Sequence, residues 1–92
     1  MYQRITRGQW DPAKHDEFRR LVPELDAAIR QLPGCQDLRN GVERSTGRTL
    51  TVTTFDTMEH AQFPRESLGE PMKRLQAAGW KGEAPEIYET ME

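Results

Sequence analysis

His60 is the side chain of this sequence whose chemistry best fits a catalyst. Its imidazole titrates near neutral pH, so it can act as a base or bind a ligand. The residue follows the third predicted strand, in the first turn of a short helical segment, near the rim of any cavity between sheet and helices. A solvent-exposed histidine on a helix surface explains the same position. His15 lies off the apolar stripe of the first predicted helix and is expected to be solvated.

A second group of side chains has the types needed to hold a flat, electron-rich ring and to stabilise a negative charge developing on it. Asn40 and Arg39 join His60 as candidate catalytic residues. The candidates for substrate binding are Trp10, Trp80, Tyr88 and Arg44. Their spacing indicates no particular reaction. Both tryptophans end predicted elements, where aromatic side chains commonly close the edge of a core, so packing alone is the other interpretation.

Several classes of site are not indicated by the sequence. Two histidines far apart in the chain and one cysteine do not have the spacing of a metal site. The glycines do not form a phosphate-binding loop. Cys35 follows a glycine, with no group nearby to lower its pKa, so we predict an unreactive thiol. We therefore expect neither a metal nor a cofactor.

Composition narrows the choice of partners. The chain has 92 residues and a formal net charge of −2 with no basic block, so a nucleic-acid partner is not expected. No apolar run is long enough to span a bilayer, and a membrane partner is not expected either. A lone cysteine cannot form an internal disulfide, which is typical of a cytoplasmic protein. At this size, with 35% apolar residues, one domain over 1–92 has a thin core, which favours shelter from a partner subunit.

The secondary-structure elements that position these residues are indicated by the prolines and glycines that mark where helices and strands begin and end. A strand pattern over residues 2–10 meets Asp11-Pro12, a good start for a helix, whose apolar stripe ends at Pro33-Gly34. Pro23 inside this stripe predicts a kink or a break. Residues 35–45 and 48–56 predict a hairpin, since threonines alternate with Leu50 and Val52 in the second of these runs. Short helices between 57 and 79 and a strand over 86–91 complete a β-α-β-β-α-β order.

This order predicts an α+β, ferredoxin-like domain with an antiparallel sheet. Its two central strands each have one apolar and one semi-polar side. We expect the side with Ile5, Leu50 and Val52 to pack on the helices. The opposite side, with Arg4 and Thr53 among its residues, is expected to face a second subunit, since interfaces tolerate polar groups. A solvent-facing sheet is the alternative.

Five stretches together resemble the dimeric α+β barrel superfamily, and within it small uncharacterised proteins related to antibiotic biosynthesis monooxygenase domains. They are YQRITRG at 2–8, LPGCQ at 32–36, EHAQFPRE at 59–66, RLQAAG at 74–79 and PEIYE at 85–89. The resemblance covers almost the whole chain. It implies a homodimer whose two sheets pack into a barrel, with a cavity in each subunit between sheet and helices.

What the resemblance implies about activity stays open. Relatives include cofactor-free oxygenases of aromatic polyketides, haem-degrading enzymes and proteins without a known activity. The haem-degrading branch uses an Asn, a Trp and a His, but Asn40, Trp80 and His60 do not match its positions. We expect a small aromatic or apolar metabolite to bind in the cavity, because no acid–base pair stands out. The alternatives are a cofactor-free monooxygenase of an aromatic or quinone-like substrate, and a haem-binding protein with His60 as axial ligand.

Overall fold

The computed structural model describes residues 1–91, which form a five-stranded antiparallel sheet with helices on one face. The strands are β1 (Tyr2–Gln9), β2 (Cys35–Glu43), β3 (Arg48–Phe55), β4 (Lys81–Gly82) and β5 (Glu86–Glu89). β2, β3 and β1 follow one another across the sheet, and β4 and β5 both pair with the remaining edge of β1. The predicted α+β, ferredoxin-like order is confirmed, with the last strand split into two pieces.

The first helix begins where the Asp-Pro pair predicts it. The Asp11 side chain accepts a hydrogen bond from the Ala13 N–H (2.9 Å) and starts a 3₁₀ turn over Pro12–Lys14, which leads into α1 (His15–Arg30). The helix continues through Pro23, so the predicted break does not occur. Buried residues precede and follow the proline on one helix face, and their packing outweighs the loss of one backbone hydrogen bond.

The hairpin between β2 and β3 turns at Gly47. This residue has φ of +79°, a conformation that glycine adopts without strain. Its carbonyl accepts a hydrogen bond from the Trp10 N–H (2.9 Å), which ties the hairpin to the end of β1. A Cβ at position 47 would lie 1.9 Å from the Trp10 carbonyl oxygen, so the close approach itself requires glycine.

The chain returns to β1 through three short helical pieces. α2 (Met58–Ala61) is capped by the Thr57 hydroxyl, a 3₁₀ helix follows over Arg65–Leu68, and α3 is Glu70–Ala77. α1 and α3 contribute most of the buried apolar side chains on the helical side, and the core includes Phe18, Ile29, Met72 and Leu75. Within residues 1–91, no helix is both long and apolar enough to cross a bilayer.

The predicted assignment of the two sheet faces is wrong. The register places Arg4 opposite Thr53 and Thr6 opposite Thr51, and this semi-polar side lies under the helices. Arg4 and Thr53 are 5% and 2% exposed. Phe55 has the same parity on β3 and is fully buried, so the largest apolar residue of the strand holds this side inward.

The opposite side, here called the open face, carries Ile5, Leu50 and Val52. The helices leave it uncovered, and Leu50 is 40% exposed. Tyr88 shares this face because it lies opposite Gln3 in the register of β1 and β5. An apolar strip on an uncovered sheet is the reverse of the predicted arrangement, in which the apolar side met the helices.

Candidate ligand-binding cavity

A cavity of about 80 Å³ lies between the semi-polar side of the sheet and the helices. Its floor is formed by short hydroxyl side chains, and its ceiling by apolar side chains of the helices. The floor threonines are Thr6, Thr49, Thr51 and Thr53, and the ceiling includes Val22, Leu25, Ile29, Leu68, Met72 and Leu75. Because the helices supply long side chains and the sheet supplies short ones, the two layers meet without filling the space between them. The result is a chamber with one polar and one apolar wall.

Asn40 joins the floor to the ceiling through two hydrogen bonds. Its Oδ1 accepts from the Thr51 hydroxyl (2.7 Å), and its Nδ2 donates to Oδ1 of Asp26 on α1 (2.7 Å). Each bond fixes the orientation of the amide, so neither end of the side chain is free to turn. Asn40 and Gly41 are exposed and also line the cavity, which places an opening to solvent beside them.

Trp80 closes one end of the cavity by lying on two glycines. Gly8 and Gly82 face each other across β1 and β4, and a Cβ on either would come within 2.6 Å of the indole ring. The indole Nε1 donates to the Thr49 hydroxyl (3.1 Å). A glycine pair is required here because any side chain would occupy the space of the ring.

Trp10 also lines the cavity. Its ring stacks on Phe18 at 4.8 Å between centroids, and its backbone N–H binds Gly47. The indole Nε1 is buried and has no hydrogen-bond partner among the described residues. An unpartnered buried donor beside a cavity is uncommon in native proteins.

Arg4 is the charged group that the sequence does not single out as a site residue. It extends from the centre of β1, and its Nη1 donates to the carbonyl oxygens of Ala61 (2.9 Å) and Phe63 (2.6 Å). Its Cζ lies 3.7 Å above the centre of the Phe63 ring. Burial, and to a lesser extent the positive charge of Arg65, lower the pKa of Arg4 to about 10.

The charges that line the cavity do not balance. Arg4 and Arg65 are both lining residues, and none of the ion pairs within residues 1–91 involves either. Arg65 donates to the Glu83 carbonyl oxygen (2.7 Å) and lies 5.2 Å from the centre of a Trp80 ring. Asp26 is the acidic lining residue among those described, and Asn40 already binds it.

The structure brings three of the predicted site residues to the cavity and leaves four elsewhere. Asn40, Trp10 and Trp80 line it. Those outside the lining are His60, Arg39, Arg44 and Tyr88. Arg39 points away from the helices and pairs with Asp37 in solvent, and Arg44 is exposed in the hairpin turn. Tyr88 lies on the open face, where its hydroxyl donates to Glu86 (2.6 Å).

His60 packs against the start of β2 instead of the cavity. Its Nδ1 lies 2.6 Å from Oδ1 of Asp56, and the two side chains cover Gly34, where a Cβ would come within 2.4 Å of both. The hydrogen bond with His60 is the main cause that holds the pKa of the Asp56 carboxyl below its usual value. About two-fifths of each side chain is exposed, so the pair is a surface contact between α2 and the end of β3.

The cavity lining does not fit haem. Among the described residues it contains no histidine, cysteine or tyrosine, and its one potential iron ligand is the thioether of Met72, which in haem proteins is paired with a histidine. Typical pockets for ligands of drug size have about 300–1,000 Å³. A macrocycle would therefore need both a new ligand and a repacked core. Elsewhere within residues 1–91, His, Cys, Asp and Glu do not form a group of three or more that could hold a metal ion.

The sequence contains a signal that the threonine side of β3 faces the helices. Thr49, Thr51 and Thr53 alternate along β3 and end at Phe55, so one buried aromatic marks the side that faces inward. Leu38, opposite Thr53, adds a second buried residue to the same side. Ile5, Leu50 and Val52 on the other side are more numerous and favour the opposite assignment when burial is not known.

Comparison with solved structures shows the fold. The chain is similar to an antibiotic biosynthesis monooxygenase (TM-score 0.75, 17% identity, 100% of both chains covered). It is also similar to a candidate enzyme of this type from Deinococcus radiodurans (TM-score 0.74, 18% identity, 100% and 94% covered). SnoaB, a cofactor-independent oxygenase from Streptomyces nogalater, matches with a TM-score of 0.70 and 15% identity over 99% of this chain and 93% of SnoaB. No protein-family model and no curated protein matches the sequence.

The resemblance that the sequence indicates is thus confirmed at the level of the fold. Identities of 15–18% carry no residue roles from these proteins to this chain.

Proposed function

We propose that this protein binds a small, flat, largely apolar molecule in the cavity between sheet and helices. The observation that carries the proposal is the chamber itself, which has an apolar ceiling, a hydroxyl floor and buried donors without partners. Few polar groups in a mostly apolar pocket fix the orientation of a ligand, and this is the usual composition of small-molecule sites. With about 80 Å³ available, the ligand is no larger than about one substituted ring unless the helices move.

The test uses benzamide, a neutral ring with one polar group, as a probe followed by NMR titration. We expect saturable shifts of resonances from Thr51 and its neighbours. Thr51→Met fills the floor with a longer side chain and should abolish binding. Thr54→Met is the matched control, because Thr54 lies on the same strand but has the opposite parity. Absence of binding to the unmodified protein, or equal binding to both variants, would contradict the proposal.

A second candidate function is cofactor-independent oxygenation of an aromatic compound. The fold similarity to SnoaB and to the antibiotic biosynthesis monooxygenase structures favours it. Such a reaction needs a base that takes a proton from the substrate, and donors that stabilise the resulting anion before O₂ accepts its electrons. The Asp26 carboxylate, oriented by Asn40, has the chemistry of such a base at the edge of the cavity.

Oxygen uptake by metal-free protein tests this second function. A panel of hydroxylated aromatic compounds should include one that is consumed together with O₂, and Asp26→Asn should reduce the rate at least tenfold while leaving the fold unchanged. Glu24→Gln removes an exposed acid from the same helix and serves as the control. If no compound in a broad panel supports uptake, binding without catalysis is the better account.

The proposal includes a homodimer that forms through the open face. Ile5, Val52 and the exposed Leu50 make an apolar strip on an uncovered sheet, and a second copy would bury it. Leu50 and Val42 are 40% and 37% exposed but lie on opposite faces, so they form a matched pair. Leu50→Glu should yield monomers at micromolar concentration, whereas Val42→Glu should stay dimeric.

Light scattering coupled to gel filtration decides between these outcomes. A species of 10.6 kDa from the unmodified chain would refute the dimer, and the same assembly for both glutamate variants would refute the open face as its interface. A cytoplasmic location stays a prediction, with the lone cysteine as its support.

A further inference from the structure

We propose that the ligand is an anion, and that the guanidinium of Arg4 holds its negative group at the inner end of the cavity. This inference rests on the proposed function, since it names the charge of the molecule that the cavity binds.

The first observation is the burial of a charge without a counter-ion. Arg4 is 5% exposed, and within residues 1–91 no carboxylate lies within ion-pair distance of it. Buried charges in proteins are normally paired, because removing them from water is costly. An arginine keeps its charge in this setting, so binding of an anion would offset the cost of burying that charge.

The second observation is the geometry of the guanidinium. The two carbonyl oxygens of the segment after α2 occupy Nη1, and the Phe63 ring covers one face of the group. Nε is buried and has no hydrogen-bond partner, and none of the hydrogen bonds among residues 1–91 involves Nη2. Nε and Nη2 form one edge of the planar group, the edge that binds a carboxylate through two parallel hydrogen bonds.

A structural role alone does not account for this arrangement. Holding the segment of Ala61 and Phe63 uses Nη1 and the face of the group that lies over the Phe63 ring, and it leaves the edge of Nε and Nη2 without a partner among residues 1–91. Arg4 also lines the cavity together with Thr6, whose hydroxyl takes part in none of the hydrogen bonds among residues 1–91 and can donate to the same ligand. The hydroxyls of Thr51 and Thr53 already donate to Asn40 and to the Arg4 carbonyl oxygen.

The surroundings of Arg4 favour an anion as well. Arg65 lines the same cavity and adds a second positive charge, which contributes to the lowered pKa of Arg4. The acidic residue at the cavity, Asp26, accepts a hydrogen bond from Asn40, which pairs with Thr51, two residues along β3 from the partner of Arg4. Among the described residues that line the cavity, Trp10 carries the other unpartnered buried donor, but it lies six residues further along the chain, just after β1 and about 20 Å of extended backbone from Arg4.

The experiment compares benzoate with benzamide, two rings of nearly equal size of which only benzoate is charged at pH 7. We expect benzoate to bind about tenfold to a hundredfold more tightly, the range of a charge-assisted hydrogen bond. In Arg4→Met this ratio should fall to about one while the affinity for benzamide changes little. Arg65→Met should lower the ratio less, and Arg7→Met, on the same strand but the open face, should leave it unchanged.

A measurement without any substitution covers the case in which Arg4→Met does not fold. The Nε–H resonance of Arg4 in a ¹⁵N-labelled sample should shift on addition of benzoate and stay in place with benzamide. Arg4→Lys, which retains the charge but not the planar edge, should keep part of the preference for benzoate.

The outcomes separate the two proposals. If benzamide binds as tightly as benzoate, or if the ratio survives in Arg4→Met, the anion site is refuted while the cavity function stands. An Nε–H resonance that does not respond to benzoate also refutes it. If neither ring binds the unmodified protein, the cavity function fails and the anion site fails with it.

Discussion

The contact between Trp80 and its glycine pair makes a quantitative prediction about Gly8→Ala. An alanine Cβ at this position would lie 2.5 Å from two ring atoms of the indole, against the 3.4–4 Å of an ordinary contact. Gly8 has no positive φ, so the backbone itself accepts alanine. The whole cost therefore arises from displacing the ring, which must retreat by about 0.9 Å.

The magnitude follows from three contributions. Overpacking of this kind costs about 1–3 kcal/mol, and loss of the hydrogen bond from Trp80 to Thr49 costs about 1 kcal/mol. Replacing glycine by alanine restricts the unfolded chain and returns about 0.5 kcal/mol. We expect a net loss of about 2.5 kcal/mol, which lowers Tm by about 10–20 °C in a domain of this size.

Urea and thermal unfolding followed by circular dichroism measure this loss, since tryptophan fluorescence would respond to the ring displacement itself. Gly41→Ala is the control, because its Cβ would meet nothing within 4 Å and its φ is not positive. A double-mutant cycle with Trp80→Leu isolates the contact. In that background Gly8→Ala should cost nearly nothing.

Two results would refute the reasoning. One is a Tm for Gly8→Ala within 2–3 °C, roughly, of the Gly41→Ala value, which would mean that the ring moves without loss. The other is an equal cost of Gly8→Ala with and without Trp80, which would place the strain elsewhere.

Three further predictions concern the hairpin and the cysteine. Gly47→Ala should lower the free energy of unfolding by more than about 2 kcal/mol, because it combines a positive φ with a clash against the Trp10 carbonyl. Gly69→Ala, with φ of +68° but open space around the Cβ, should lower it less. Equal urea midpoints for the two variants would contradict this prediction. Hydrogen bonds from the Ser45 and Thr46 side chains and N–H groups lower the pKa of Glu43 to about 2. The stabilisation that this carboxylate gives the folded protein is therefore complete above about pH 4.5 and is lost as the pH falls toward 2. In an acid titration, Glu43→Gln should lose less stability over that range than the unmodified protein. Burial is the main cause that raises the pKa of the Cys35 thiol, so iodoacetamide at pH 7.5 should modify it more slowly in the folded protein than in urea, and equal rates would show that the thiol is open to solvent.

Much of the fold follows from local signals. The Asp11-Pro12 pair starts the first helical turn and the chain turns between the two predicted strands of the hairpin, as predicted, because caps and turns depend on a few neighbouring residues. Pro23 did not break its helix, since the helix is held by contacts with the sheet that a local rule does not include.

The site was harder to predict, because it depends on which side of the sheet the helices cover. Ile5, Leu50 and Val52 look like core residues in isolation. The inward side is shown instead by two buried residues, Phe55, two residues from Thr53 on β3, and Leu38, which pairs with Thr53 from β2. The same inversion explains why Arg4 was assigned to a subunit interface. Register is set by pairing between distant strands, and it becomes visible when the strands are placed side by side.

Pro23 makes it easier to bend α1, the helix that covers the cavity. Because proline has no amide hydrogen, the Arg19 carbonyl lacks its usual donor four residues later, and α1 has one backbone hydrogen bond fewer on its solvent side. Val22 lies before Pro23, whereas Leu25 and Ile29 lie beyond it. A bend of α1 at Pro23 would therefore move Leu25 and Ile29 away from the cavity and leave the first turns of the helix in place. The present dimensions of the cavity therefore limit the ligand to about one ring only while this half of α1 stays in place, and bending of the helix at Pro23 would admit a wider one.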